Sequence, residues 1–147
     1  MFKVESTDWY SQDIETIWLA YTDHARWSEW TSIPKSSLFK EGSEDKNGVG
    51  AVRKLGPGGP FSAYEEILAF EPQKRLEYTV YKGPLPFINH RGIVNFSEEN
   101  GGTRIEWQCT YEAKLRFIGK LMQKITQSVF DSALKGLHGF PFDSIKK

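Results

Sequence analysis

Hydrophobic and polar residues alternate with a period of two through most of the chain, which is typical of β-strands with one buried face. The clearest alternation is in "TRIEWQCTYEAK", where Ile105, Trp107, Cys109 and Tyr111 share one face. Turn signals such as "NGGT" and "EPQK" separate the alternating segments and favour hairpins. We predict seven strands, over residues 2–9, 36–42, 50–55, 61–70, 75–83, 88–99 and 103–114.

Three segments have helical spacing instead. The first runs from about Ile14 to Tyr21, and Ser11 is its expected N-cap. The second is the short stretch "HARWSEW", residues 24–30. The third begins near residue 115 and is about 20 to 24 residues long, which corresponds to about 30 to 36 Å of helix. Its predicted apolar stripe consists of Ile118, Leu121, Met122, Ile125, Val129 and Ala133.

The order of these elements predicts an α+β architecture. Consecutive antiparallel strands need a cover for one face, and the long C-terminal helix has one apolar stripe to offer. We therefore predict a curved antiparallel sheet of about six to seven strands wrapped around that helix, with two short helices after the first strand. A curved sheet and a straight helix do not touch everywhere, so a cavity lined by inward aromatic residues is expected between them. No repeat or linker divides the chain, and residues 1–147 are predicted to form a single domain.

Composition and charge exclude several classes of function. The chain has 39% hydrophobic and 26% charged residues, which is typical of a globular domain. Lys and Arg balance Asp and Glu at 19 each, so no global field favours nucleic acid or an anionic membrane. Basic residues on the last helix are interpreted as a solvated face, with a local basic patch as the alternative: Lys114, Arg116, Lys120, Lys124 and Lys135.

Metal, disulfide and targeting signals are missing from the sequence. The one cysteine, Cys109, allows no intrachain disulfide, and the three histidines lack metal-ligand spacing. We expect no metal and no cofactor. Neither a signal peptide nor a stretch long enough for membrane insertion is present, so a cytoplasmic location is the default expectation.

An ordered series of short motifs resembles a known family. These motifs are "DIETIWLAYTDHARWSEW", "GVGAVRKL", "YEEILAFEPQKRLEYTVYKGPLPFINHRGIVNF", "ENGGTRIEW" and "LKGLHGF". Together they resemble the START-like, Bet v 1-like superfamily (SRPBCC proteins), and within it the bacterial polyketide cyclase/dehydrase-type members. The resemblance implies the helix-grip fold and a cavity for apolar or aromatic molecules. Some members cyclise or dehydrate polyketides and others carry lipids or quinones, so the resemblance does not choose one activity.

Inward-facing residues around the expected cavity are the candidate ligand contacts. We predict that six of them bind the ligand: Trp27, Arg53, Tyr78, His90, Trp107 and Tyr111. Of the two tryptophans in "HARWSEW", Trp30 is assigned to the core and Trp27 to the ligand.

Two of the inward residues are candidates for acid–base chemistry, although no catalytic residue is assigned. His90 shares the apolar face of its strand with Val94, and Glu65 shares one with Ile67. An inward carboxylate must be paired or protonated, and Arg53 is the candidate partner of Glu65. The alternatives are a histidine whose nitrogens are satisfied by backbone or water, and a bulged strand in which Glu65 is solvated.

Three functions are carried forward. The first is binding of a lipid-, polyketide- or quinone-like molecule in the cavity, by a monomer or a homodimer. The second is a cyclase or dehydratase in which His90 or Glu65 acts as general base. The third is a protein–protein adaptor, which predicts an exposed apolar patch around "GPLPF" instead of a cavity.

Overall fold

A computed structural model describes residues 1–147 and contains one antiparallel sheet of seven strands. The strands are β1 (Phe2–Tyr10), β2 (Ser36–Lys40), β3 (Val52–Leu55), β4 (Ala63–Glu71), β5 (Arg75–Lys82), β6 (Ile88–Glu99) and β7 (Gly102–Glu112). Their order across the sheet is β1-β7-β6-β5-β4-β3-β2. Strands β2 to β7 thus form a meander, and β1 pairs with β7 at one edge. The predicted curved sheet and fold class are confirmed.

Two α-helices and three short 3₁₀ helices complete the chain. The α-helices are α1 (Ile14–Thr22) and α2 (Arg116–Leu137), and the 3₁₀ helices cover His24–Glu29, Gly59–Phe61 and Phe142–Ser144. The helical stretch predicted over "HARWSEW" is therefore a 3₁₀ helix.

Helix α1 begins two residues later than a Ser11 cap would place it. Asp13 is the N-cap, and its Oδ1 accepts a hydrogen bond from the Thr16 backbone N–H at 2.8 Å. The prediction of Ser11 was wrong because Asp13 also has a capping side chain and lies directly before the first helical residue. The bonds to Thr16 lower the pKa of Asp13 to about 2.

Helix α2 has 22 residues, as predicted, but its buried face differs from the predicted stripe. The buried residues are Gly119, Met122, Thr126, Phe130, Ala133, Leu134 and Leu137. Leu121 and Ile125, which the pattern placed inside, are 59% and 42% exposed. The helix has apolar residues on two adjacent faces. The prediction chose the face with more large apolar residues, whereas the buried face also includes Gly119 and Thr126.

Two glycines of α2 lie where neighbouring groups leave no room for a Cβ. A Cβ on Gly119 would lie 2.2 Å from the ring of Phe2, and a Cβ on Gly136 would lie 2.0 Å from the Trp30 carbonyl oxygen. The two glycines therefore let α2 approach β1 near one end and Trp30, directly after the His24–Glu29 helix, near the other. Between these contacts the sheet curves away from α2, and register shifts in β2, β4 and β6 contribute to that bend.

Candidate ligand-binding cavity

An apolar cavity of about 240 Å³ lies between the sheet and α2. The sheet side is formed by residues such as Tyr78 and Val80, and the helix side by Ile125, Val129 and Phe130. Residues of the Gly83–Phe87 loop and Phe61 also line the cavity. Alternation along the strands places side chains inward, and curvature keeps them from filling the space against α2.

A buried ion pair lies next to this cavity. Arg53 on β3 and Glu65 on β4 are paired in register, and Arg53 Nε donates to Glu65 Oε1 at 2.6 Å. Arg53 is fully buried, whereas Glu65 lines the cavity and is 8% exposed. Burial disfavours the charged form of Arg53, but Glu65 and the neighbouring tyrosines outweigh it and raise its pKa. The prediction that Glu65 points inward and pairs with Arg53 is confirmed.

The Arg53 guanidinium lies over two aromatic rings. Its central carbon lies 3.9 Å from the centroid of the Trp27 ring and 4.5 Å from that of Tyr78. The two Nη atoms have no hydrogen-bond partner in the protein. Cation–π contact thus replaces part of the missing hydrogen bonding, and the same guanidinium fixes two rings of the cavity wall.

His90 presents a single polar atom to the cavity. Its Nδ1 accepts a hydrogen bond from the Val80 backbone N–H at 3.1 Å, so the proton of the neutral ring is on Nε2. Burial, followed by the charge of Arg53, lowers the pKa of His90 to about 4. At neutral pH the residue is therefore an uncharged hydrogen-bond donor, which does not suit the general-base role considered for it.

Tyr78 lies at the base of the cavity. A Cβ on Gly92, its partner in register on β6, would come within 2.2 Å of the Tyr78 ring, so the ring crosses the strand where a side chain is missing. Trp107 Nε1 donates to the Tyr78 hydroxyl at 2.8 Å, and the Trp107 ring stacks on Phe130 with centroids 3.9 Å apart. These contacts connect the sheet to α2 and hold both rings in place.

Thr126 is the polar residue that α2 contributes to the cavity lining. It is 7% exposed, and its Oγ1 is buried with no hydrogen-bond partner in the protein. A buried hydroxyl without a partner is unfavourable for the empty protein. A bound molecule that contacted this buried hydroxyl would supply the missing partner.

Four of the six predicted ligand-binding residues line the cavity, and two do not. Trp27, Tyr78, His90 and Trp107 belong to the lining. Arg53 lies behind the Trp27 and Tyr78 rings, and Tyr111 is fully buried, with its hydroxyl donating to the Gly119 carbonyl oxygen. Both face inward as expected, but other side chains separate them from the space.

Helix and loop residues of the lining were missed. Thr126 was assigned no role because a single threonine within an apolar pattern gives no signal before the helix is oriented. Leu85 and Phe87, which belong to the "GPLPF" loop, are partly buried and line the cavity. The loop turns Leu85 and Phe87 inward, whereas Pro84 and Pro86 are exposed and the flanking Tyr81 and Ile88 are 53% and 43% exposed.

Other reactive groups do not form a second centre. Burial raises the pKa of the Cys109 thiol to about 12, which leaves it protonated and unreactive. No three His, Cys, Asp or Glu side chains are grouped so that they could hold a metal ion. Neither helix combines the length and the apolar character needed to cross a bilayer.

Solved structures with the same fold are numerous. XoxI from Bacillus cereus is 17% identical with a TM-score of 0.75, over 95% of this chain and 94% of that one. A protein from Thermobifida fusca is 19% identical with a TM-score of 0.77, over 94% and 91% of the two chains. A START superfamily protein from Mycobacterium smegmatis is 14% identical with a TM-score of 0.74, over 93% and 94%. At these identities the likeness shows the fold alone.

Sequence comparison gives the family. No curated protein matches the chain. The profile of the family described as "Polyketide cyclase / dehydrase and lipid transport" matches residues 1–138. That match covers all seven strands and α2, and the START neighbour has the same architecture. The chain therefore belongs to the polyketide cyclase/dehydrase and lipid transport family.

Proposed function

We propose that this protein binds a small aromatic or apolar molecule with a polar edge in the cavity between the sheet and α2. The observation that carries the proposal is the cavity itself, whose lining is apolar apart from a few inward polar groups. Sites of this composition obtain affinity from apolar burial and orientation from the polar groups.

The volume limits the size of the ligand. A cavity of about 150 Å³ is known to accept benzene. The 240 Å³ available here suits a molecule of one or two fused rings and is too small to enclose a whole lipid or a long polyketide. A longer ligand would have to extend out of the cavity.

Three polar groups define the chemistry of the ligand edge. The neutral His90 ring offers an N–H from Nε2, and the Thr126 hydroxyl is buried beside the cavity without an internal partner. Glu65 Oε1 is engaged by Arg53, which leaves Oε2 as an acceptor. A carbonyl oxygen next to a hydroxyl or phenol satisfies this set, so hydroxyquinones and phenolic ketones are the favoured class.

Titration with a naphthol and with a hydroxynaphthoquinone, followed by tryptophan fluorescence, tests the proposal. Trp27 and Trp107 both line the cavity, and we expect saturable quenching. Val129→Phe fills the cavity and should abolish binding, whereas Val49→Phe, at a half-exposed position outside it, should not. Equal quenching in both variants would mean that the ligands bind elsewhere.

A second candidate function is enolisation chemistry, as in a cyclase or dehydratase. Its supporting observation is that Glu65 and His90 are both buried and line the same cavity. Glu65 would be the base, and the His90 Nε2–H would stabilise the developing oxyanion. Solvent deuterium exchange into a bound phenolic ketone, measured by NMR, is the assay. Exchange no faster than in buffer, with the ketone shown to be bound, would leave only the binding function.

A further inference from the structure

Three large apolar side chains project from α2 into solvent. Phe117, Leu121 and Ile125 are 70%, 59% and 42% exposed. They are four residues apart and therefore lie along one side of the helix, over about 12 Å. Single exposed apolar residues are ordinary, but three in a row on one helix face form a continuous surface.

Cations accompany these apolar side chains. Lys114, Arg116, Lys120 and Lys124 are all exposed, and none of them forms an ion pair within the protein. No Asp or Glu occurs between Ala113 and Phe130. This segment is strongly basic although the whole chain has no net charge.

Helix stability does not account for this distribution of charge. The positive end of the helix dipole is at the N-terminus, where anions stabilise and cations destabilise. The first turn of α2 has no acidic residue, and its N-cap residue Leu115 makes no side-chain capping bond. Lys114 and Arg116 are thus placed where they oppose the helix dipole, which points to an external role.

The strip formed by Phe117, Leu121, Ile125, Arg116, Lys120 and Lys124 could meet another copy of the chain or a different surface. A symmetric contact between two copies would bring the basic residues of both strips together without an acidic partner, which is unfavourable. An anionic lipid surface accommodates both kinds of group, since apolar side chains enter the headgroup region and lysines remain at the phosphates.

We propose that this strip of α2 docks the protein on an anionic membrane surface without crossing the bilayer. The cavity adjoins the strip, because Ile125 belongs to both and the 73% exposed Phe61 also lines the cavity. Docking would therefore bring one wall of the cavity to the lipid interface. An apolar ligand could then enter without first dissolving in water.

Vesicle flotation tests the proposal with the full chain. We compare vesicles of phosphatidylcholine alone with vesicles that also contain phosphatidylserine, at low and at high salt. We expect binding to the anionic vesicles at low salt, with weak binding to neutral ones and release at high salt. Each lysine at an anionic surface contributes about fivefold in affinity, so Lys120→Glu with Lys124→Glu should weaken binding by more than about 25-fold.

Matched variants separate the strip from general surface properties. Phe117→Ser with Leu121→Ser should also abolish binding, and both positions are exposed enough to leave the fold intact by circular dichroism. Lys135→Glu on the same helix and Phe39→Ser on the sheet are controls that should bind normally. The proposal fails if anionic vesicles are not bound at low salt, or if the control variants lose binding as much as the strip variants. It also fails if the strip instead mediates dimerisation in sedimentation experiments without vesicles.

Discussion

Removal of Arg53 should be among the most destabilising single changes in this protein. Arg53→Met preserves most of the side-chain length but leaves the Glu65 carboxylate without the guanidinium that binds it at 2.6 Å. Glu65 is 8% exposed, so water cannot fully replace the lost partner. Breaking a buried pair from one side costs about 3–5 kcal/mol of unfolding free energy.

The position of the pair decides where in that range the cost falls. Glu65 borders the cavity, where water can approach its second oxygen, and this favours the lower end. The loss of the cation between the Trp27 and Tyr78 rings acts in the opposite direction, by up to about 2 kcal/mol. We therefore expect a destabilisation of about 4 kcal/mol.

Urea unfolding followed by tryptophan fluorescence measures this cost, with the m-value as a check on two-state behaviour. The double variant Arg53→Met with Glu65→Gln removes both charges and should recover at least half of the loss, because a pair is often replaceable when both members change together. A single-variant cost below about 1 kcal/mol, or a double variant no more stable than the single one, would refute the reasoning.

Three further predictions concern groups around the cavity. Burial lowers the pKa of His90 to about 4 and that of His24 to about 3, so the unfolded chain binds more protons than the folded one between about pH 6.5 and 4. Stability should therefore fall with decreasing pH in this window, by roughly 1.4 kcal/mol per pH unit for each histidine, and His90→Gln should make that slope shallower. Gly92→Ala would place a Cβ 2.2 Å from the Tyr78 ring and should cost about 1–3 kcal/mol of unfolding free energy in urea titrations. Thr126→Val removes a hydroxyl that has no internal partner, so it should leave stability unchanged or raise it by up to about 1 kcal/mol, while it weakens ligand binding in the fluorescence titration.

Controls and contradicting results can be stated for the three predictions. A pH slope that His90→Gln leaves unchanged would contradict the assignment of part of the slope to His90. Gly139→Ala is the glycine control, because a Cβ there would make only an ordinary contact of 3.6 Å. A Thr126→Val protein that is clearly less stable would mean that the hydroxyl has a partner in solution.

The strands could be predicted because their signal is local. Alternation in β7 and the Asn-Gly turn before it depend only on neighbouring residues, and each hairpin then fixes the position of the next strand. Asp13 and the true face of α2 were harder. Asp13 competes with Ser11 as the N-cap, and the buried face of α2 competes with an adjacent apolar face. Only packing against the sheet decides between these alternatives.

The cavity could be predicted in part. The inward direction of Glu65 and His90 follows from strand parity, and the pairing of Glu65 with Arg53 follows from the cost of burying a lone charge. Alternation along a strand predicts which side chains point inward. It does not predict how far each inward side chain lies from the cavity. Arg53 and Tyr111 face inward but lie behind other side chains, whereas Thr126 reaches the space only because α2 is rotated away from its predicted face.

The rotation of α2 connects the cavity with the proposed docking surface. If α2 buried the centre of the predicted stripe, Leu121 would turn toward the sheet, Ile125 would fill more of the cavity, and Thr126 would move to the edge of the buried face. The observed orientation leaves these apolar side chains exposed beside Lys120 and Lys124 and buries the Thr126 hydroxyl without a partner. Both outcomes cost the isolated domain stability, since apolar surface remains in water and a buried hydroxyl remains unpaired. A ligand in the cavity and a lipid surface at the strip would each remove one of these costs, so the two proposals together account for the orientation of the helix.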